Sequence, residues 1–465
     1  MAKLYVFGIG GTGARVLRSF TMMMAAGVNI GADEIVPIII DPDASNADMT
    51  RTVALMNNYR SIRSELNFIR NDKTPFFRKE LSQILANYTL RILDTDDKTF
   101  QQFIDLPSMD KASQAMMRML FSEKNLASSM DVGFKGNPNI GSIVLNQIVD
   151  SDDFQDFANN FESGDKIFII SSIFGGTGAS GFPLLLKTLR KGTSFPNNVI
   201  INNAEIGAIT ILPYFKLKND DESEIDSSTF ISKTKSALAY YENNISKNHT
   251  INALYYLADN VSNTYENHEG GSAQRNDAHL IEFLAATAIV DFSNKSHTNT
   301  TNKELGLKDM KGGAVTFDSF YDEEKKEFFA PLTKFILMSN CFKYKMGYYS
   351  SKSFNANTDH FESFYGSSFM SSLKSMTSSY LEWLEEMKEN KRSLDLFNLN
   401  TNDKPFDVVT GVKANRIVSL KSDYDLITDR LNSAINRCVS TEDNNKFLEM
   451  FYLATSKLIN EKYNA

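Results

Sequence analysis

The chain has 465 residues, enough for two or three domains, and its 42% hydrophobic and 23% charged residues are an ordinary balance for a globular protein. The formal net charge of −8 and the lack of a basic stripe argue against a nucleic-acid partner. No apolar run is long enough to span a membrane, and two cysteines and five scattered histidines fit a reducing cytoplasm without a structural zinc site.

The first predicted elements are a strand, a glycine-rich turn and a helix. An apolar strand at 3–7 leads through "FGIGGTG" into a helix pattern at 12–26. A second strand at 34–43, "EIVPIIIDPD", is apolar on both faces, which is typical of a parallel sheet covered on both sides. Residues 46–130 are predicted to be mostly helical, and a loop rich in glycine and asparagine follows at 131–142.

The middle of the chain repeats this arrangement. The strand "KIFIIS" at 166–171 leads through "GGTGASG" into a helix that ends near Arg190. Strands at 205–215 and 251–259 and an apolar helix at 276–292 follow. Strands that alternate with helices predict an α/β fold with a doubly wound, mostly parallel sheet.

The final third is predicted to be rich in helix. A polar stretch at 293–313 marks a boundary, 334–346 is predicted as a strand, and 367–391 as a long helix. The predicted domains are 1–300, with a helical insertion at about 46–130, and a helix-rich domain at 301–465.

The first glycine turn has the pattern of an anion site. Gly8, Gly10 and Gly13 match G-x-G-x-x-G between a strand and a helix, where the helix N terminus offers unpaired N–H groups and positive potential. Tight packing of strand on helix is the alternative. A dinucleotide-binding fold would place an acid after the second strand, and Asp41 stands there.

The second glycine turn, Gly175–Gly181, adds the hydroxyl groups of Thr177 and Ser180 and successive backbone amides that favour phosphate. Both turns follow strands, and parallel sheets bind ligands at the carboxyl ends of their strands. We therefore expect the two turns to form one site for a polyphosphate.

Both motifs resemble those of the tubulin/FtsZ superfamily. "GGTGAS" is similar to its glycine-rich signature GGTG[ST]G, and "GIGGTG" is similar to its first nucleotide loop. "IDPDASN", "GFKGNPNIGS", "AITILPYF" and "NALYYLADN" follow in the family's order, and "RNDAHLIEFLAATAIVDF" is similar to a divergent bacterial tubulin-like group. The resemblance covers residues 3–292.

The resemblance implies a tubulin/FtsZ-like nucleotide-binding domain that binds GTP or GDP with Mg²⁺. The implied nucleotide contacts in the glycine turns are Gly8, Gly10, Gly11, Thr12, Gly13, Gly175, Gly176, Thr177, Gly178, Ala179 and Ser180. The other implied contacts are Asp41 and Asp43 for Mg²⁺ through waters, Asn137 and Asn139 for the γ-phosphate, and Asn260 and Asn276 for the base.

Structural roles remain open for several of these residues. Asp41 and Asp43 could close a turn with Pro42, and Asn137 and Asn139 could be turn residues. Asn276 could cap the start of the helix at 276–292 instead of contacting the base, because asparagine is a common N-cap residue.

The predicted helix at 276–292 would place Asn276, His279 and Glu282 on one face, where they could point at a ligand or simply be satisfied in the core. In polymerising family members, an acid after this helix enters the neighbouring subunit's nucleotide site. Asp291 is the candidate for that catalytic acid, and a helix residue on the wrong side is the alternative.

Three departures from the family affect the predicted function. The stretch at 46–130 is longer than usual, and the final third is helical. The usual ribose-contacting pattern is missing; Glu222 and Glu224 could stand in for it, but a solvated acidic run is the favoured interpretation. The leading prediction is a guanine-nucleotide-binding protein, a possible GTPase that self-assembles. The alternatives are a non-polymerising switch or assembly subunit whose C-terminal helices form a partner surface, and a dinucleotide-dependent oxidoreductase.

Overall fold

The structure is a computed structural model. It describes residues 2–43, 46–69, 71–130, 134, 137–217, 230–248, 250–260, 263–265, 271, 275–297, 301–304, 307–308, 313–350, 364–416 and 421–463. Glu222 and Glu224, the possible stand-ins for the ribose contacts, lie outside these residues. Within the described ranges, no helix has the length and apolar character needed to cross a membrane.

The described strands are short, and β1, β2, β4, β5 and β7 are buried along almost their whole length. They are β1 (Lys3–Ile9), β2 (Glu34–Ile40), β3 (Glu80–Leu81), β4 (Lys166–Ser172), β5 (Glu205–Ile211), β6 (Lys216–Leu217), β7 (Ala253–Leu257), β8 (Thr264–Tyr265) and β9 (Thr301–Glu304).

One seven-stranded sheet has the order β3-β2-β1-β4-β5-β7-β9, and β6 and β8 form a separate pair. Every strand pairing in the seven-stranded sheet is parallel. Gly8 of β1 stands opposite Ile39 of β2 and Ile170 of β4. The chain runs outward from β1 towards β3 on one side and from β4 towards β9 on the other. The junction of β1 and β4 is therefore the switch point of the sheet, where open α/β sheets bind ligands.

The helices cover both faces of the sheet. They are α1 (Gly10–Ala25), α2 (Ala47–Ser64), α3 (Phe100–Phe103), α4 (Lys111–Leu120), α5 (Glu123–Leu126), α6 (Pro138–Val144), α7 (Asp152–Asn160), α8 (Gly176–Lys191), α9 (Asn198–Asn202), α10 (Phe230–Tyr241), α11 (Leu280–Asn294), α12 (Asp322–Tyr344), α13 (Met346–Tyr349), α14 (Ser368–Glu389), α15 (Asp423–Ile435) and α16 (Asp443–Tyr463).

Helices α1 and α8 lie on opposite faces, because right-handed crossovers lead to β2 on one side of the switch point and to β5 on the other. Helices α2 and α11 pack beside α1, and α6 packs beside α8. The C-terminal helices form an outer layer over α1 and α2. In that layer Trp383 of α14 stacks near Phe283 of α11 and donates to the hydroxyl of Ser19 in α1 (3.2 Å).

The predicted fold class, a doubly wound, mostly parallel α/β sheet followed by a helix-rich C-terminal region, is confirmed. The strand predicted at 334–346 is wrong, because those residues lie almost entirely in α12, where they are buried between α14 and α16. Residues 46–130 contain α2, the short strand β3 and three short helices, so most of the predicted helical insertion is irregular. The domain boundary at 300 stays a prediction, and β9 extends the sheet just beyond it.

Candidate functional site

The two glycine turns meet at the switch point. Helix α1 begins at Gly10 directly after β1, and α8 begins at Gly176 shortly after β4. A Cβ atom built on Gly10 would lie 3.5 Å from Cβ of Thr177 and 3.8 Å from the backbone N of Gly178. We call the facing segments Gly10–Thr12 and Gly175–Gly178 the glycine crevice.

The helix N termini in the glycine crevice have no side-chain acceptors. Neither α1 nor α8 has an acidic residue in its first turn or a side chain that caps it. Some other helices are capped: Asn46 accepts from the first N–H groups of α2, and Ser367 accepts from Met370 in α14, whereas α6, α9, α12 and α13 also lack a side-chain cap. Uncapped N–H groups and the positive ends of two helix dipoles meet in the glycine crevice, and such an arrangement has the donors and the positive potential that suit an anion.

The glycines of the first turn have two different roles. Gly10 has φ +72°, a left-handed conformation that favours glycine, and it faces the second turn. Gly8 and Gly13 face each other instead, since a Cβ on Gly13 would lie 2.4 Å from the carbonyl carbon of Gly8. Gly8 and Gly13 therefore allow β1 and α1 to pack closely. Contact of Gly10, Gly11 and Thr12 with phosphate stays a prediction.

The glycines of the second turn follow the same division. A Cβ on Gly178 would lie 2.6 Å from the carbonyl oxygen of Ser172, so close packing requires glycine there. Gly175, Gly176 and Thr177 lie at the start of α8, beside Gly10.

Ser180 lies deeper in α8 than the crevice. Its hydroxyl donates to the carbonyl oxygen of Gly176 (2.7 Å), one turn earlier, and the preceding Ala179 donates its N–H to Gly175 (3.3 Å). Gly141 of α6 approaches so closely that a Cβ there would lie 2.3 Å from Oγ of Ser180. Ser180 thus holds α6 against α8, a role that the predicted phosphate contact did not anticipate.

Asp41 and Asp43 lie at the carboxyl end of β2, beside β1, and both are buried. The N–H of Asp43 donates to Oδ1 of Asp41 (3.1 Å), and the N–H of Gly271 donates to Oδ2 of Asp43 (2.7 Å). Burial raises the pKa of Asp41 to about 7. The hydrogen bond from the backbone of Asp43 acts against this shift, and the negative charge of the Asp43 carboxylate adds to it. Two buried carboxylates next to an anion site have the donor chemistry of a Mg²⁺ site.

Asn137 and Asn139 flank the start of α6. Asn137 precedes the helix without a side-chain cap, and Asn139 is exposed in its first turn. Helix α6 packs against α8, and contact of Asn137 and Asn139 with the γ-phosphate stays a prediction.

The two predicted base contacts have different surroundings. Asn276 is bound to Asp48 of α2, with its backbone N at 2.9 Å and its Nδ2 at 2.7 Å from the carboxylate oxygens. Asn260 is exposed after β7. Helix α11 begins only at Leu280 and is capped by His279, so the predicted cap at Asn276 and the shared face of Asn276, His279 and Glu282 are wrong. Through these contacts with Asp48, Asn276 ties the residues before α11 to α2.

Asp291 lies near the end of α11, which runs from the crevice edge of the sheet to the opposite edge beside Gly31. Its carboxylate accepts from the hydroxyl of Tyr255 (2.6 Å) and pairs with Lys295. Within one subunit Asp291 is therefore remote from the glycine crevice, so a catalytic role in its own subunit is excluded by the topology.

A buried network of charges, absent from the sequence prediction, lies behind the glycine crevice. The ion-pair network consists of Arg15, Arg18, Arg51, Asp48, Glu282 and Glu386. Nε of Arg15 lies 3.0 Å from Glu282, and Nη1 of Arg18 lies 2.7 Å from Glu386, which also pairs with Arg51. The available signals were an acid, Glu282, in the first turn of an apolar helix and two arginines, Arg15 and Arg18, in another mostly apolar helix.

Burial and ion pairing shift the pKa values of Glu282 and Glu386 in the ion-pair network in opposite directions. Burial raises the pKa of Glu282 to about 7, against the opposing charge of Arg15. Burial also opposes ionisation of Glu386, yet the hydrogen bond from Arg18 and the charges of Arg18 and Arg51 hold its pKa below the usual value. Three guanidinium groups face three carboxyl groups, so most of the charge in the network is compensated within it.

The chain is similar to several solved structures, while no protein-family profile and no curated sequence matches it. It matches CetZ2 from Haloferax volcanii, a GTPγS-bound protofilament, at 11% identity over 56% of this chain and 49% of that chain, with a TM-score of 0.28. CetZ from Methanosaeta thermophila matches at 15% identity over 56% and 46% of the two chains, with a TM-score of 0.29. TubZ from Bacillus thuringiensis, a GTPγS-form protofilament, matches at 12% identity over 55% and 47%, with a TM-score of 0.24.

These matches span about half the length of the solved proteins. CetZ and TubZ are tubulin/FtsZ family members, and this is the family that the two glycine-rich motifs resemble. At such low TM-scores the alignments carry no functional inference, which rests instead on the geometry of the glycine crevice.

Proposed function

We propose that the chain binds a nucleoside polyphosphate in the glycine crevice, with the phosphates against the N termini of α1 and α8. The observation that carries this proposal is the close approach of Gly10 to Thr177 and Gly178 at the switch point of the sheet. Two convergent helix N termini offer donors and positive potential to more than one phosphate group. The resemblance of the motifs makes GTP or GDP the proposed ligand, and the cytoplasm the proposed compartment.

Asp41 and Asp43 would hold Mg²⁺ beside the phosphates. Hard oxygen donors suit this ion, and waters and phosphate oxygens would complete its coordination. When bound, the ion neutralises negative charge on the phosphates. The chain's own part is to keep both carboxylates buried at the carboxyl end of β2, next to the first glycine turn.

Hydrolysis of the γ-phosphate is the proposed reaction, and positioning and electrostatics would supply its rate. The segments Gly10–Thr12 and Gly175–Gly178 contain no side chain that serves as a general base. Asp291 lies at the opposite edge of the sheet, so only a second copy stacked edge to edge could bring it to the crevice. Self-association is therefore part of this proposal.

A nucleotide-dependent switch without polymerisation is the second candidate, and Glu386 favours it. This one carboxylate of α14 accepts from Arg18 of α1 and from the N–H of Ala278 before α11 (2.9 Å), and it pairs with Arg51 of α2. A movement of α1 or α2 upon nucleotide binding would thus reach the C-terminal helices directly. These helices would then be the surface for a partner protein.

A charge placed in the glycine crevice tests the binding proposal. In Thr177→Asp, the carboxylate at the start of α8 favours the helix but repels a phosphate, so we expect affinity for labelled GTP to fall at least about tenfold. The matched control Thr177→Asn has the same size without the charge, and we expect it to bind within about threefold of the wild type.

No nucleotide binding by the wild type, or equal losses in both variants, would contradict the proposal. Mass analysis of nucleotide released from the denatured protein identifies the base. A nicotinamide or flavin dinucleotide in that fraction would instead favour the oxidoreductase alternative. Sedimentation with GTP and with GDP separates a self-assembling protein from a switch.

A further inference from the structure

Helix α4 turns its apolar residues towards solvent. It is an amphipathic helix of 10 residues, and none of them is buried. Met119 is 87% exposed, Leu120 is 63% exposed and Met116 is 56% exposed. Ala112 and Ala115 are exposed as well, and together these side chains have the i, i+3 and i+4 spacing of one helix face. We call them the apolar face of α4.

The side of α4 that attaches it to the rest of the chain is largely polar. Nε2 of Gln114 donates to the carbonyl oxygen of Met109 (2.8 Å), and the carboxylate of Asp110 caps the first N–H groups of the helix (2.9 and 3.0 Å). Of the methionines in α4, only Met117 packs against the core. A surface helix usually packs its apolar side inward and leaves its polar side in water. A capped helix with the reverse orientation indicates an interaction surface.

The apolar face is complementary to itself when a second copy of α4 lies antiparallel to it across a two-fold axis. In the register that places Ala115 opposite Met116 of the second copy, Ala112 stands opposite Met119 of the second copy. Each large side chain then meets a small one, and the symmetry repeats every contact in the other half of the pair. The dipoles of antiparallel helices also attract each other.

The charges at the two ends of α4 favour the same arrangement. Lys111 is exposed at the start of the helix, and Glu123, 76% exposed in its side chain, follows the end of the helix. In the antiparallel register Lys111 faces Leu120 of the second copy, and Glu123 of the second copy lies about one helical turn further on. A parallel pair would place Lys111 beside Lys111 and Glu123 beside Glu123. Opposite charges therefore meet only in the antiparallel pair.

We infer that two copies of the chain associate through α4 as an antiparallel, two-fold symmetric pair. The contact needs neither the glycine crevice nor a nucleotide, so it goes beyond the proposed function and differs from edge-to-edge stacking. Helix α4 is only about 15 Å long, and such a pair buries less than the roughly 1,600 Å² of a standard interface. The dimer is therefore weak, with an expected Kd of about 10–100 μM.

Sedimentation velocity of the full chain at about 1–200 μM, without nucleotide and with GTP, tests the inference. We expect a shift from monomer to dimer with rising concentration, equal in both conditions. Met119→Lys places a charge in the apolar face, and we expect it to weaken the dimer at least about tenfold. The matched control is Val199→Lys, at a side chain of α9 that is 70% exposed, and we expect it to leave the dimer unchanged.

A charge reversal tests the antiparallel register. Lys111→Glu sets like charges together at both ends of the pair, and we expect the dimer to weaken about three- to tenfold. The double variant Lys111→Glu with Glu123→Lys should restore the Kd to within about twofold of the wild type. Within one chain these two residues lie at opposite ends of α4, so a second copy must supply the restored contact.

A wild type that stays monomeric at every concentration, or a dimer that Met119→Lys does not weaken, would overturn the inference. A dimer that forms only with GTP would also overturn it, and would support edge-to-edge stacking. A double variant as weak as Lys111→Glu would overturn the antiparallel arrangement. The substituted positions are exposed, so urea unfolding should show the same midpoint in every variant. Nucleotide binding is measured separately, and its absence would contradict the proposed function alone.

Discussion

Helix α1 connects two regions of opposite character. At Gly10 its first N–H groups have no capping side chain and no acid beside them. About one to two turns further, Arg15 and Arg18 belong to the ion-pair network, in which three guanidinium groups face three carboxylates. The glycine crevice presents backbone N–H donors that no side chain accepts, whereas the charged side chains of the network are largely paired with one another. A ligand site in this chain is thus expected where donors are left unmatched, and not where charged residues are densest.

The largest expected effect comes from unbalancing the ion-pair network. Arg15→Met leaves Glu282, which is 1% exposed, without its nearest cation. We expect the free energy of unfolding to fall by about 3–5 kcal/mol, because the ion pair is lost and Glu282 must either stay charged without this partner or take up a proton. Urea unfolding followed by fluorescence of Trp383, the single tryptophan, measures the change.

The double variant Arg15→Met with Glu282→Met should recover at least half of that loss, since neither charge is then left alone. Arg118→Met is the surface control, because its pair with Glu123 is largely exposed, and we expect a change below about 1 kcal/mol. A double variant as unstable as the single one would show that the network is not self-compensating.

Alanine substitutions sharpen the comparison within the glycine crevice and its surroundings. Gly13→Ala forces a Cβ to 2.4 Å from the carbonyl carbon of Gly8, and we expect a loss of about 2–3 kcal/mol in the free energy of unfolding. Gly10→Ala meets no such contact, and its positive φ should cost only about 1–2 kcal/mol. Urea unfolding of both variants checks the order.

Affinity for labelled GTP should rank the two variants differently. At matched fractions of folded protein, we expect Gly10→Ala to weaken binding more than Gly13→Ala, because Gly10 faces the second glycine turn. The same order in stability and in affinity would mean that Gly10, like Gly13, serves packing alone.

Much of the sheet could be predicted because its signals are local. Short apolar runs between glycine turns and helix patterns gave β1, β2, β4, β5 and β7 close to their observed bounds. The meeting of the two glycine turns also followed from a general rule, since strands of a parallel sheet end at one edge.

The errors have physical causes that local patterns do not contain. Residues 335–342 of α12 are buried without interruption, and a short, mostly apolar run of this kind does not distinguish a helix from a strand. The ion-pair network depends on long-range pairing, such as that of Arg18 with Glu386, 368 residues apart. No spacing in the sequence specifies that contact.

The smallest expected effect is on the pH dependence of the free energy of unfolding, to which His279 and Glu282 of the ion-pair network make opposite contributions. Burial and the charges of Arg15 and Arg392 lower the pKa of His279 from 6.5 to about 3, so below pH 6.5 the unfolded chain binds a proton that the folded chain refuses. This contribution to stability rises with pH up to about 6.5.

Burial raises the pKa of Glu282 from 4.5 to about 7; the positive charges of Arg15 and Arg18 act against this shift, and the negative charge of Asp48 adds to it. The folded chain then keeps a proton that the unfolded chain releases, so this contribution falls as pH rises from 4.5 to about 7.

Between about pH 5 and 6.5 the two contributions have opposite signs and similar size, on the order of 1–2 kcal/mol each, so the wild type should show little pH dependence from this pair. His279→Asn leaves Glu282 alone, and its free energy of unfolding should fall as the pH rises across that window. Glu282→Gln leaves His279 alone, and its free energy of unfolding should rise. Urea unfolding of the three proteins at both pH values measures the slopes. Slopes of the same sign in the two variants would contradict this prediction. They would show that His279 and Glu282 do not offset each other, and that charge compensation in this region is limited to the ion pairs.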